Sequence, residues 1–116
     1  MDLVSGTGIS DLTSKTLDRL NDKSVSVVDF WAPWCVPCKK LAPIYEQAAT
    51  EACAKHPGEV AFYKINVEQE PALASAYGVM SIPAVIGFRS GKPLDMFSGR
   101  TKEDLVKWVE KLLGSK

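Results

Sequence analysis

Runs of β-branched and aromatic residues recur along the chain and predict its strands. The strongest run is Val25–Trp31, and a second extends from Val60 to Val67. Two shorter runs, Ala84–Phe88 and Leu94–Phe97, are separated by Arg89–Pro93, whose Ser, Gly and Pro residues favour a turn. The last two strands are therefore expected to form a hairpin.

Apolar residues at helical spacing lie between these strands. A long helix is predicted from about Cys35 to the Pro57-Gly58 pair, and a short one at Pro71–Tyr77, with Gly78 as its C-terminal cap. A final helix is predicted to start at Thr101. Thr101 would cap this helix, with Asp104 placed like the acidic member of a capping box.

The N-terminal part of the chain gives weaker signals. Residues 1–7 are interpreted as a tail, and Ile9 to Leu12 as a short strand. Ser14 is expected to cap a short helix with Leu17 and Leu20 on its apolar side.

The resulting order is β-α-β-α-β-α-β-β-α. Alternating strands and helices favour parallel pairing, whereas the terminal hairpin is antiparallel. We therefore expect an α/β protein in which a central mixed β-sheet is flanked by helices on both faces. Residues 8–114 would form a single domain.

Length and charge narrow the possible functions. The chain has 116 residues, with 14 basic and 14 acidic side chains, so its formal net charge is zero. This balance argues against a nucleic-acid partner or an anionic membrane surface. No apolar run reaches the roughly 20 residues of a membrane-spanning helix, and we expect no secretory signal at the N-terminus.

The most informative feature is a pair of cysteines two residues apart, Cys35 and Cys38, placed where a strand passes into a helix. A helix N-terminus stabilises an anion such as a thiolate, so Cys35 is expected to be the reactive cysteine. Cys38, one turn further on, is expected to be more shielded. Pro37 fits the first turn because its missing N–H needs no partner there.

Two other interpretations of the cysteine pair are a zinc half-site and a buried packing pair. Structural zinc usually needs four ligands, and only Cys53 and His56 remain. On one continuous helix they would lie roughly 27 Å away, too far to complete the site. A packing pair does not require the tryptophan-rich approach that precedes Cys35.

The segment Trp31-Ala32-Pro33-Trp34-Cys35-Val36-Pro37-Cys38-Lys39 resembles the active-site segment of the thioredoxin family. The resemblance extends from about Ile9 to Leu113. It implies the thioredoxin fold and a protein thiol–disulfide oxidoreductase that reduces partner proteins through a Cys35/Cys38 cycle. It also implies a cytoplasmic monomer with no bound cofactor, which receives electrons from NADPH through a thioredoxin reductase.

Asp29 and Lys64 are charged residues within predicted strands. Asp29 shares a face with Val25 and Val27, and an isolated buried carboxylate is costly unless it is paired. The two charges could meet beneath the cysteines, or each could point into solvent. The resemblance implies that Asp29 exchanges a proton with Cys38 and that Lys64 tunes this acid.

The resemblance also implies a flat apolar surface that receives the target. Its residues would be Trp34, Val36, Pro37, Ile82, Pro83 and Gly99. Trp31 would support the motif from behind, and the Ile82–Pro83 bond would be cis, although base rates alone favour trans. Ordinary core packing for Trp34 and a simple turn for Gly99 are the alternatives.

Two residues, Val36 and Arg100, depart from the family pattern. Val36 stands between the cysteines where thioredoxins usually carry glycine, and its β-branch stiffens the first turn. Val36 therefore bears on the reduction potential and the target range. Arg100 adds charge beside Gly99. Cys53 has no match in the motif and is interpreted as a free helix cysteine, with glutathionylation or dimer formation as the alternatives.

Three alternative functions stay open at this point. They are an oxidant or isomerase of the same fold, a glutaredoxin, and a non-catalytic binding module of thioredoxin fold. Pro37 and Trp34 disfavour the glutaredoxin.

Overall fold

The computed structural model describes residues 8–114, so the predicted tail at residues 1–7 lies outside the described residues. Within that range the chain forms a five-stranded sheet. The strands are β1 (Ile9–Asp11), β2 (Val25–Trp31), β3 (Val60–Asn66), β4 (Ala84–Arg89) and β5 (Lys92–Met96). Their order across the sheet is β1-β3-β2-β4-β5.

The sheet is mixed, as predicted. β3 runs parallel to both β1 and β2, whereas β4 is antiparallel to β2 and to β5. Ser90 and Gly91 join β4 to β5 with φ angles of 53° and 77°. Positive φ at both central residues is what a tight hairpin turn requires.

Helices cover both faces of the sheet. They are α1 (Val36–Lys55), α2 (Pro71–Ala76) and α3 (Lys102–Gly114), preceded by a 3₁₀ helix at Leu17–Asn21. The predicted capping box of α3 is confirmed, because Thr101 Oγ1 accepts from the Asp104 N–H at 3.0 Å and the Asp104 carboxylate accepts from the Thr101 N–H. Among the described residues, no helix is long and apolar enough to cross a membrane.

The predicted cap of the first helix is wrong. That helix begins at Leu17, after Thr16, and the Ser14 N–H instead donates to Glu70 at 3.3 Å. Leu17 and Leu20 are three residues apart, and residues at this spacing align in a 3₁₀ helix. A tight Thr13–Thr16 turn, closed by a 3.0 Å backbone hydrogen bond, occupies the position expected for the first helical turn.

Two apolar cores lie on opposite faces of the sheet. The α1/α3 side includes Val27, Tyr45, Phe62, Leu105 and Val109, and the 3₁₀/α2 side includes Leu20, Phe30, Ile65, Leu73 and Phe88. Because β2 lies at the centre and is covered on both faces, its sequence is apolar except for Ser26 and Asp29. This central position makes Asp29, on the same strand, a buried carboxylate.

Candidate active site

The cysteine pair lies where β2 leads into α1, as the sequence predicts. Cys35 is the N-cap, with extended backbone angles (φ −83°, ψ 108°), and α1 starts at Val36. The Cys38 N–H donates to Cys35 Sγ at 3.2 Å, so sulfur takes the place of the usual oxygen cap. The two residues form a disulfide with a Cα–Cα distance of 5.2 Å.

Both cysteines are buried in this disulfide form. Each exposes 4% of its surface, so the expected greater shielding of Cys38 is not found. The pair packs with buried Ala32 and with the half-buried side chains of Trp31 and Ile82. The disulfide bond keeps Cys35 against this cluster. The prediction of unequal shielding failed because it treated the two cysteines as independent side chains.

An exposed apolar rim surrounds the pair. Trp34 is 62% and Val36 59% exposed, and Pro37 between the cysteines is also exposed. Trp34 Nε1 donates to Glu68 Oε2 at 2.6 Å, which fixes the indole although it lies in solvent. Core packing of Trp34 is therefore excluded.

The Ile82–Pro83 segment borders the pair on another side. The peptide bond is cis, as the resemblance implies, and Ile82 packs on the cysteines. Met80, two residues earlier, is 97% exposed. The sequence reasoning had not singled out Met80.

The close packing around residue 99 explains why this position is a glycine. A Cβ at this position would lie 2.6 Å from Phe97 Cζ and 2.9 Å from Asp104 Cβ, and Asp104 belongs to the capping box of α3. A side chain at residue 99 would therefore disturb the start of α3. Arg100, its neighbour, is exposed and donates its N–H to Asp104 Oδ2 at 3.2 Å.

Asp29 lies behind the cysteine pair and is 6% exposed. It stands in register with Lys64 on β3, as the shared-face argument predicts. Among the described residues its Oδ1 has no hydrogen-bond partner. Burial raises the pKa of Asp29 from 3.8 to about 7, against the opposing effect of the Lys64 charge.

Lys64 is half-buried, and its ammonium lies over the indole of Trp31. The distance from Nζ to the ring centroid is 5.1 Å, within the range of a cation–π contact. Trp31 thus links the lysine to the residues that pack against the cysteines.

A pocket of about 490 Å³ connects these groups. Asp29, Cys38 and Lys64 all line it, so the predicted acid and the inner cysteine share one cavity behind the disulfide. Tyr45 lines the same pocket, and its hydroxyl lies 2.7 Å from the Tyr63 carbonyl and 3.1 Å from that of Val27. Burial raises the pKa of Tyr45, so this phenol stays neutral.

The sequence reasoning did not identify Glu68, Tyr45 or Asp11 as site residues. Asp11, at the end of β1, is exposed and also lines the pocket. Asp11 could have been predicted from the expected parallel pairing of the strands. Side chains alternate along a strand, so few residues of a neighbouring strand can share a face with Lys64. Glu68 follows a strand, and no sequence pattern connects it with Trp34.

Cys53 and His56 take no part in this site. Cys53 is half-buried against the α1/α3 core, and burial raises the pKa of its thiol. His56 Nε2 lies 3.0 Å from Glu110 Oε2. Over residues 8–114, no cluster of three or more His, Cys, Asp or Glu side chains is arranged to hold a metal ion.

Comparison with known proteins finds relatives that align with most of the chain. The family model described as Thioredoxin matches residues 10–111. Thioredoxin of Staphylococcus aureus is 39% identical over 106 residues, which cover 90% of this chain and 98% of that protein.

Solved structures agree with this match. A thioredoxin variant from Halobacterium salinarum is 29% identical, with a TM-score of 0.79 and 99% coverage of both chains. The first thioredoxin domain of mouse protein disulfide-isomerase A4 is 30% identical, with a TM-score of 0.84, covering 95% of this chain and 79% of that one.

Proposed function

This chain belongs to the thioredoxin family and is a protein thiol–disulfide oxidoreductase, and we propose how its residues carry out disulfide reduction. The observation that supports the proposal most directly is the Cys35–Cys38 disulfide at the N-terminus of α1. It is one end state of a two-electron cycle. The reduced dithiol is the other.

In the first step, the Cys35 thiolate attacks one sulfur of a disulfide in a partner protein. A Cys35–target disulfide forms, the target S–S bond breaks, and the released target sulfur takes up a proton. The N-terminal turn of α1 favours the attacking anion, because its unpaired N–H groups and helix dipole stabilise negative charge.

In the second step, Cys38 attacks Cys35 and releases the target. Asp29 accepts the Cys38 proton across the pocket that both residues line. A base with a pKa of about 7 suits proton transfer near neutral pH. The Cys35–Cys38 disulfide forms as the Cys35–target bond breaks, the second target sulfur leaves as a thiolate that takes up a proton from solvent, and two electrons have passed to the target. Lys64 tunes Asp29 through its positive charge.

The target docks on the apolar rim. The exposed side chains of Trp34 and Val36 support this proposal, because a rigid aromatic beside the reactive sulfur is typical of a protein-binding surface. The docking residues are Trp34, Val36, Pro37, Ile82 and Pro83. Gly99 would contribute its backbone, and Trp31 supports the motif from behind.

The electron supply follows from the cycle. The Cys35–Cys38 disulfide must be reduced again, and we assign this step to a thioredoxin reductase that draws on NADPH. The chain would then act as a cytoplasmic, monomeric electron carrier in redox homeostasis, with residues 8–114 as its single domain. It would need neither nucleic acid nor membrane.

The mechanism is tested by replacing each cysteine with serine. Cys35→Ser should abolish reduction of a protein disulfide. Cys38→Ser should accumulate a mixed disulfide with the target, visible by non-reducing electrophoresis and mass spectrometry. Cys53→Ser, outside the site, is the matched control and should keep full activity. An active Cys35→Ser protein would contradict the mechanism.

A further inference from the structure

Three charged residues lie in one row across the sheet. β1, β3 and β2 are adjacent, and Lys64 on β3 is in register with Asp11 on one side and Asp29 on the other. Paired residues on neighbouring strands project to the same face, with about 4.8 Å between strands. The row is therefore carboxylate, ammonium, carboxylate.

All three residues open into the pocket behind the disulfide. They also differ in burial, since Asp11 is exposed, Lys64 half-buried and Asp29 almost fully buried. The Asp11 carboxylate lies in solvent, whereas ionisation of the buried Asp29 carboxyl requires desolvation. Asp11 is therefore the more accessible partner for the lysine.

The Lys64 ammonium lies where either carboxylate, Asp11 or Asp29, could attract it. It lies over the Trp31 ring at 5.1 Å. Among the described residues, Lys64 forms no salt bridge within 4.0 Å with either carboxylate. It is thus held between two carboxylates that can each attract it.

The other ionisable groups that line the pocket come from α1. They are Cys38, Lys39, Tyr45 and Glu46. Tyr45 is neutral, and Glu46 and Lys39 are exposed residues. On the β4 side, Asp29 pairs with uncharged Val85. Asp11 is thus the carboxylate that shares the Lys64 register with Asp29.

We propose that Asp11 is a positioning residue of the oxidoreductase site, whose carboxylate competes with Asp29 for the Lys64 ammonium and so favours the protonated form of Asp29 near neutral pH. This inference rests on the proposed role of Asp29 for its effect on catalysis. The effect of Asp11 on the titration of Asp29 can be measured independently of catalysis.

The test is an NMR titration of the Asp29 carboxyl carbon in the full chain. Asp11→Asn should lower the pKa of Asp29 by roughly 0.5 to 1, because the Lys64 ammonium then has Asp29 as its one carboxylate neighbour in the row and stabilises its ionised form more strongly. Asp11→Glu should restore most of the original value. Asp18→Asn, the same chemical change on the distant 3₁₀ helix, is the control and should cause no shift.

A second background shows whether Asp11 acts through Lys64. In Lys64→Gln protein, Asp11→Asn should shift the Asp29 titration by less than half as much. An equal shift in both backgrounds would overturn the positioning role. So would a larger effect of Glu46→Gln than of Asp11→Asn, because the controlling carboxylate would then lie on α1.

The kinetic readout is the pH profile of mixed-disulfide resolution. Its midpoint should move to lower pH in Asp11→Asn, in parallel with the titration. If Asp29→Asn leaves the resolution rate unchanged, the proposed role of Asp29 fails while the titration result stands. If the Asp29 titration does not move in Asp11→Asn, the present inference fails while the role of Asp29 stands.

Discussion

At the residue scale, Asp29 is a buried carboxyl group that lines the pocket behind the cysteine pair. The residue lies on the central strand, almost fully buried, with one carboxylate oxygen unpartnered among the described residues. Desolvation outweighs the Lys64 charge and raises the pKa of Asp29 to about 7. A poorly solvated acid destabilises the fold when it ionises, and the same property suits the proton-accepting role that we propose for Asp29.

Replacing Asp29 by asparagine should stabilise the protein at alkaline pH. The pKa of Asp29 is about 7 when folded and near 3.8 as a free side chain, so the folded state binds the proton more tightly. Wild-type stability therefore falls as pH rises from about 4 to 7. Asp29→Asn should gain roughly 2 to 4 kcal/mol at pH 8 and little below pH 4. Urea unfolding at both pH values measures this gain, with exposed Asp18→Asn as the control. Equal gains at both pH values would contradict the assignment.

Trp34 allows a test of target docking that leaves the sulfur chemistry intact. The indole is exposed and held by Glu68, so Trp34→Ala should remove contact area without opening a core cavity. We expect kcat/KM for a protein disulfide to fall about tenfold, as for an interface anchor, with an unchanged unfolding midpoint. Leu94→Ala, an exposed apolar residue on β5, should leave both values unchanged. A similar loss in both variants would argue against docking at Trp34.

At the scale of elements, α3 packs against β4 at Gly87, which has no side chain. A Cβ on Gly87 of β4 would collide with Leu112 Cδ1 and lie 3.2 Å from the Trp108 ring. The close approach of helix and strand therefore depends on glycine. Trp108 is further held by a 2.9 Å hydrogen bond from Nε1 to Asp95 on β5.

Gly87→Ala should destabilise the protein by about 1 to 3 kcal/mol, because overpacking displaces α3. Gly114→Ala is the matched control, since a Cβ there meets nothing within 4 Å. Thermal unfolding of the two variants measures the difference. Equal unfolding temperatures for Gly87→Ala and wild type would show that α3 can move away without cost.

The sequence predicted elements best where packing imposes a simple pattern. The range Val25–Trp31 was predicted for β2 and found, because burial on both faces favours a run rich in β-branched and aromatic residues. The capping box of α3 is likewise local. Ser14 was assigned wrongly, because side-chain type alone does not distinguish a helix cap from a residue in the preceding turn.

At the scale of the whole molecule, the sequence indicated the central residues of the site better than their surroundings. Cys35 and Cys38 were singled out by a local motif, and Asp29 by its charge within an apolar strand. Asp11 and Glu68 belong to the surroundings through tertiary contacts, and Glu68 lies 34 residues from the indole it binds. Such contacts depend on strand order and loop positions that single segments do not encode.

The most direct test of the central claim is the reduction of insulin by the purified chain, with dithiothreitol as electron source. With wild-type protein, the insulin B chain should precipitate much earlier than with dithiothreitol alone. With Cys35→Ser protein, the time of precipitation should equal that with dithiothreitol alone. The reduction potential of the Cys35–Cys38 pair should then be about −270 mV, which is typical of thioredoxin. If wild type and Cys35→Ser gave the same time course, the cysteine pair would not be the catalyst of disulfide reduction.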